Sequence, residues 1–479
     1  MPSPVKVIVI GAGSRGETYS DFASIHPDRL QIVGVADPRL FARKKLQERH
    51  RVPEENVFND WQCVAEREKF ADAVFICTPD RLHKEPAVVL AKKGYHILLE
   101  KPMAVTLEDC TEIAETCIES GVMLTVCHVL RYDPSIRKIK VLIDSGAIGD
   151  VIHIQHFEPV GFYHFAHSFV RGNWRNEAES SFALLAKSCH DLDLIHHWAG
   201  GRSSDTVNKL TTGTAIILSE DCRDDDVAMT ETDGMPLTVP FLHVGALVTV
   251  HTYQLKCLKV SSFGSLSHFR KENKPPEAAN RCLDCSVETD CAYSAKKIYL
   301  DRVKQGWVRW PVSVICGNSV PDIESVTEAL KTGPYGRCVY ECDNDVCSNQ
   351  VVNMEFEGGL TASFSMVAFT EEICQRKTSI HGSKGELTYD GQEIKVFDFL
   401  TQQSIKHTVD MSVPGSFSKG GHGVADYHLI DAFISAVQKG DLQLVQSGPK
   451  ETLASHRLVF EAERSRLENR IVMCMTDHD

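Results

Sequence analysis

An α/β fold opening with a doubly wound parallel sheet is predicted by three features of residues 1–128. A β-branched run, Val5 to Ile10, ends in Gly11-Ala12-Gly13-Ser14-Arg15-Gly16 and passes into a helix-compatible stretch that reaches Ile25. A second run, 31–36, ends in Asp37. Strand-like and helix-like segments then alternate at 73–77, 84–93, 96–99, 107–120 and 123–127. Such alternation builds βαβ units, and their ligands sit beyond the C-terminal ends of the strands.

The first of these features is a phosphate-binding turn in its proper context. Gly11, Gly13 and Gly16 permit a tight turn and close backbone approach. With Ser14 and Arg15 they open a helix whose free N–H groups face a pyrophosphate. Asp37 lies 24 residues beyond Gly13, where a carboxylate accepts hydrogen bonds from ribose hydroxyls and repels a 2′-phosphate. NAD is favoured over NADP, although Arg39 keeps NADP open. The alternative is a glycine turn in some other α/β protein.

The chain has 479 residues, 43% hydrophobic and 24% charged, which supplies a large core and excludes a disordered chain or one small module. Lys plus Arg number 51 against 65 Asp plus Glu, a net charge of −14 that disfavours nucleic acid and anionic membrane surfaces. The N-terminal apolar run is too short for a signal or a membrane span. A cytoplasmic protein is expected, with most of its 17 cysteines reduced.

The unusual residues fall at the strand ends: Thr78-Pro79-Asp80 with His83, Glu100-Lys101-Pro102, and His128-Val129-Leu130-Arg131-Tyr132-Asp133-Pro134. Together with Gly11–Gly16 and His190-Asp191-Leu192-Asp193, this ordered set resembles the glucose-fructose oxidoreductase / inositol dehydrogenase / rhizopine-catabolism (Gfo/Idh/MocA) family. The later segments are most similar to its StrI-type cyclitol dehydrogenases. The resemblance implies a Rossmann domain (1–128) binding NAD(P) and an α/β domain (129–479) for substrate binding and oligomerisation. That second domain carries a large, mostly antiparallel open sheet. Strand-like runs at 151–157, 351–356, 360–368 and 378–381 agree, with Glu357-Gly358-Gly359 as a hairpin turn.

The resemblance also implies roles. Lys101, in a Lys-Pro bond that family members commonly hold in cis, faces the nicotinamide, with Thr78, Pro79, His83 and Glu100 around the cofactor. His190 is the acid/base that takes the hydroxyl proton, a task suited to an imidazole. The competing readings are a surface lysine before a turn and a helix-start histidine satisfied by backbone. Asp193, three residues on, orients the imidazole or binds a substrate hydroxyl, and Asp191 serves as a helix N-terminal dipole partner. The sequence departs from the family pattern at Ala186, where many of its dehydrogenases carry an aspartate. Lys187 beside it is a candidate for holding an anionic or hydroxylated substrate. Arg131, Tyr132, Trp174 and Arg175 complete the candidate substrate pocket, with the arginines alternatively paired to acids. His422 and Asp426 are further candidate contacts.

Cys282, Cys285 and Cys291 have the CxxC-plus-one spacing of soft metal ligation, so structural zinc is an option, with Cys316, Cys338, Cys342, Cys347 or His268 as a fourth ligand. Packed free thiols are the other. Residues 201–255 read as a poorly ordered insertion dispensable for chemistry. The expectation is an NAD-dependent oxidoreductase acting on a secondary hydroxyl of a cyclitol or sugar, as a homodimer or homotetramer. Its rivals are an NAD-dependent glycosidase with transient redox and elimination, and a catalytically silent nucleotide-binding regulator.

Overall fold

The computed structural model describes residues 3–200, 255–317, 320–419 and 422–474. Six parallel strands form the first sheet: β1 (Val5–Ile10), β2 (Leu30–Ala36), β3 (Val57–Phe58), β4 (Ala73–Ile76), β5 (His96–Leu99) and β6 (Leu124–Val126). Their spatial order is β3-β2-β1-β4-β5-β6, so the chain reverses direction between β1 and β4. A switch point of this kind leaves a crevice over the strand ends. Val7, Ile8 and Val9 of β1 are fully buried because helices cover both faces, which is why the strand reads as a continuous apolar run.

The second sheet has nine strands: β7 (Val151–Pro159), β8 (Cys257–Ser265), β9 (Asn349–Phe356), β10 (Thr361–Val367), β11 (Lys377–Gly382), β12 (Gly385–Tyr389), β13 (Ile394–Asp398), β14 (Gln403–His407) and β15 (Val472–Met473). The order is β14-β13-β12-β11-β7-β10-β9-β8-β15, antiparallel throughout except for the parallel pair β7–β10. β9 and β10 meet at Glu357–Gly359, where Gly358 and Gly359 take φ of 76° and 85°. Alternation buries Val352, Met354, Phe364 and Met366, and the Ala183–Ala199 helix packs on β7 and β10. Core residues of both sheets join in one apolar cluster, which includes Val9 and Phe22 of the first half and Ile154, Phe364 and Phe433 of the second.

Helix placement departs from expectation at one point that matters. The helix carrying His190 begins at Ala183, so His190 and Asp191 lie in its middle and Asp191 is not a dipole partner at its N-terminus. Phe182 precedes it with no side-chain cap. The expected insertion falls outside the described residues, apart from Leu255, which packs against the core. No helix among the described residues is long and apolar enough to cross a membrane.

Candidate active site

The glycine turn is fixed by steric exclusion. Gly11 has φ of +92°, and a Cβ there would stand 2.5 Å from the Cys77 carbonyl oxygen; a Cβ on Gly16 would stand 2.1 Å from that of Gly11. Only glycine permits this approach of β1 to the Ser14–Ile25 helix, whose N-terminus has no side-chain cap and leaves its N–H groups open to an anion. The turn therefore fits a dinucleotide pyrophosphate. Asp37, at the end of β2, accepts from the Ala12 N–H at 2.7 Å and from the Arg39 guanidinium at 2.8 Å. One acid and one half-exposed guanidinium thus share the place where a ribose edge would lie.

Arg15 turns away from the turn toward buried acids. Its Nε donates to Glu100 at 2.7 Å and its terminal nitrogens to Asp426 at 2.5 and 3.1 Å. Tyr19, one helical turn on, donates to Glu100 at 2.5 Å. Burial alone would raise the Glu100 carboxyl; Arg15 and Lys101 outweigh it and hold the pKa below the usual range. Asp426 is thus a partner of the first domain's helix, and Glu100 anchors the turn from inside through the Lys101 N–H at 2.9 Å.

At the end of β5 the Lys101–Pro102 bond is cis, and the Lys101 ammonium donates to the Ala186 carbonyl at 2.7 Å. The residue that replaces the family's aspartate therefore receives the lysine through its backbone. His190 lies one turn further along the same helix, 5% exposed, with Nδ1 buried and unpartnered. Burial first, then the Lys101 charge and the His128 ring, press its pKa well below the ordinary value, so the imidazole is neutral. The His422 ring stands 6.1 Å from it, and His128 5.5 Å.

Other expected contacts are employed differently. Arg131 and Asp193, both buried, pair bidentately at 2.7 and 2.8 Å, and Arg131 also donates to the Gln446 carbonyl. Tyr132 holds the same loop through the Gln446 N–H and Ser447. These three side chains tie residues 131–132 to the mid-helix Asp193 and to the 446–447 loop, and their polar groups are taken up in doing so. Arg175 is held by Asp343 and Glu179 on the outside. Trp174 donates its indole N–H to Asp80 at 3.1 Å, where the Ser180 hydroxyl also donates.

Lys187 is deep in the second sheet's side, 2.9 Å from the Cys374 sulfur and 3.2 Å from Glu158. Burial opposes its charge, but Cys374 and Glu158 prevail and raise its pKa. Arg376 bridges Glu158 and Asp191, and Asp191 also meets His156 at 3.1 Å. Glu158, Arg376 and Cys374 carry no local motif, and sequence reasoning missed them; Tyr19 had a signal, its spacing of four from Arg15.

The zinc expectation is corrected. Among the described residues no three His, Cys, Asp or Glu side chains converge to hold a metal ion. Cys282 instead lies 3.4 Å from the Arg171 guanidinium, and Cys342 donates to the Cys338 carbonyl. A cavity of about 590 Å³ lined by Phe269, Arg270, Cys342 and Arg466 shares no residue with the Lys101–His190 cluster, so volume alone does not mark the chemistry.

Comparison with known proteins agrees with this architecture. Residues 5–128 match the family model described as "Oxidoreductase family, NAD-binding Rossmann fold", and residues 136–239 match the "GFO/IDH/MocA C-terminal domain". The chain belongs to the Gfo/Idh/MocA family. It is 29% identical over 199 residues to 2,7-anhydro-N-acetylneuraminate hydratase of Escherichia coli (strain K12), covering 40% of this chain and 49% of that protein. It is 28% identical over 149 residues to D-glucoside 3-dehydrogenase of the same organism, covering 31% and 42%. The chain thus spans about half the length of these curated relatives. An inositol dehydrogenase homologue from Azotobacter vinelandii, solved with NAD+, shares the fold at a TM-score of 0.62 and 14% identity, over 98% of this chain and 97% of that one.

Proposed function

We propose that the chain is an NAD(P)-dependent oxidoreductase that oxidises a secondary hydroxyl of a cyclitol or sugar. The observation that carries this reading is the meeting of Lys101 with the His190 helix beside a sterically fixed glycine turn. The turn and the helix N-terminus hold the pyrophosphate, with Thr78 and Pro79 bordering the cofactor and Asp37 at the ribose. A 2′-hydroxyl suits Asp37, and a 2′-phosphate would draw Arg39 off it. Bound NAD supplies the hydride acceptor. A substrate hydroxyl placed between Lys101 and His190 donates its proton to the neutral imidazole, while the ammonium stabilises the developing alkoxide. Lys187 and His422 border the substrate end.

The name of the E. coli relative, a hydratase, favours a second reading in which the hydride is returned to an intermediate before product leaves. The chain is further proposed to be cytoplasmic, since every described cysteine is a free thiol. It is also proposed to form a homodimer or homotetramer through the open sheet face, where Phe263 is 63% and Val351 39% exposed.

Absorbance at 340 nm with NAD or NADP and a panel of inositols, inosamines and free sugars tests the first reading. Reduction is expected with at least one polyol, and Lys101→Ala should lower it by about 10²–10⁴-fold with NAD still bound. Wild-type turnover in that variant refutes the role of Lys101. A silent panel with NAD bound, and cleavage or hydration of a glycoside or anhydro sugar, moves the assignment to the second reading.

A further inference from the structure

We propose that His456, on the Pro449–Glu468 helix of the C-terminal half, is the positioning residue that sets the Lys101 turn. The inference rests on the reading of Lys101 above.

Met103, next after the cis proline, is fully buried, and its N–H needs an acceptor. It finds one 353 residues away, where it donates to His456 Nε2 at 3.0 Å. Because a backbone N–H can only donate, this contact fixes the tautomer: Nε2 is bare, and the proton sits on Nδ1. That nitrogen accordingly donates to the Thr452 carbonyl at 3.0 Å, one turn back on the same helix. Both ring nitrogens are used and the ring is fully buried, so His456 has no freedom to rotate. Burial, with the neighbouring His128 ring, brings its pKa down to about 3, which keeps the acceptor bare.

The turn is gripped from the other side too. The Pro102 carbonyl oxygen lies 2.8 Å from His83 Nδ1, whose Nε2 lies 2.8 Å from the Thr78 carbonyl oxygen. The single Pro102–Met103 peptide group is thus held at its carbonyl and at its N–H by imidazoles from the two halves of the chain. The His456 ring also stands 5.4 Å from His128, which stands 5.5 Å from His190. One helix of the C-terminal half therefore bears on the backbone of the lysine and, through His128, on the ring of the proposed base. Docking of that helix sets where the ammonium points, and a lysine displaced by an ångström loses most of its effect.

The test compares His456→Ala and His456→Gln in the full chain. The glutamine carbonyl reaches the place of Nε2 and can accept from Met103. With the best polyol of the panel, His456→Ala should lower kcat by about 10–100-fold while KM for NAD changes less than about twofold, and His456→Gln should recover most of the loss. Amide exchange at Met103 should accelerate in His456→Ala and return toward wild type in His456→Gln, a readout independent of turnover. Wild-type kcat and Met103 protection in His456→Ala overturn the proposal. So does an equal loss in both variants accompanied by weakened NAD binding, which marks a merely structural histidine. If Lys101→Ala also keeps wild-type turnover, the reading of Lys101 falls; if it is inactive while His456→Ala is normal, only this inference falls.

Discussion

His190 and Asp193 lie three residues apart on one helix, yet their surroundings are opposites. Asp193 is saturated: both its oxygens are taken by a fully buried guanidinium, which in turn anchors a loop. His190 is equally enclosed, but its Nδ1 has no partner, and Lys101, the charge that acts on it most, donates to a backbone carbonyl and not to the ring. A polar group buried without partners costs free energy that folding does not recover. Saturated groups such as Asp193 hold the frame, and an unsaturated one such as His190 has its capacity left for a substrate. Proximity within a motif does not separate the two, since both sit in one His-Asp-Leu-Asp sequence.

The sharpest way to break this contrast is to remove one member of each. Asp193→Ala strands Arg131 as a buried, unpaired cation and should cost about 3–5 kcal/mol, read as a lower urea midpoint. His190→Leu, of similar volume, should cost under about 1.5 kcal/mol while abolishing turnover. Equal destabilisation by the two would show that His190 is also part of the frame.

This division explains what the sequence disclosed. The glycine turn, Asp37 and Lys101 were legible because each follows the end of a strand whose local pattern fixes its place, whereas His190, in mid-helix, stood out only through the family resemblance. Their long-range partners were not: Asp426 reaches Arg15 across 411 residues, Arg376 reaches Asp191 across 185, and His456 reaches Met103 across 353. The start of the Ala183–Ala199 helix was missed because Phe182 offers no capping side chain, so the chain enters the helix without the usual polar signal. Spacing did not decide Cys282, whose thiol lies beside the Arg171 guanidinium and, among the described residues, joins no convergent set of three metal-ligating side chains.

Replacing the saturated pair as a unit sharpens the same comparison. Arg131→Met combined with Asp193→Leu removes both charges and leaves neither stranded. At least half of the stability lost in Asp193→Ala should return, as it does where apolar side chains replace a buried ion pair. Failure to recover would mean that the Arg131 bond to the Gln446 carbonyl, and not the ion pair, carries the frame.

Acid separates the groups by the pH window in which each loses its contribution. Asp193 and Asp191 are each pushed up by burial, but their guanidinium partners prevail and hold both below the usual carboxylate range. A depressed native pKa means stability that is present above the unfolded value, about 3.9, and is lost as pH falls through the native one. Unfolding followed by fluorescence should therefore turn downward below about pH 4, and less steeply in the double variant that lacks Asp193. His190 acts in a higher window. Its folded pKa lies below the unfolded value, so protonation of the unfolded chain favours unfolding as pH falls through about 6.5.

The smallest effect belongs to a residue expected in the pocket and found in the frame. Trp174 spends its indole N–H on Asp80, which follows the strand-end Thr78-Pro79 pair, and Ser180 donates to the same oxygen. Trp174→Phe keeps the ring against Phe169 and removes one hydrogen bond to a carboxylate, which should cost about 1–2 kcal/mol of stability. Because Asp80 keeps the Ser180 hydroxyl, KM for the polyol should stay within about twofold of wild type. A large rise in KM with unchanged stability would return Trp174 to the substrate and move the boundary between frame and pocket out to this loop.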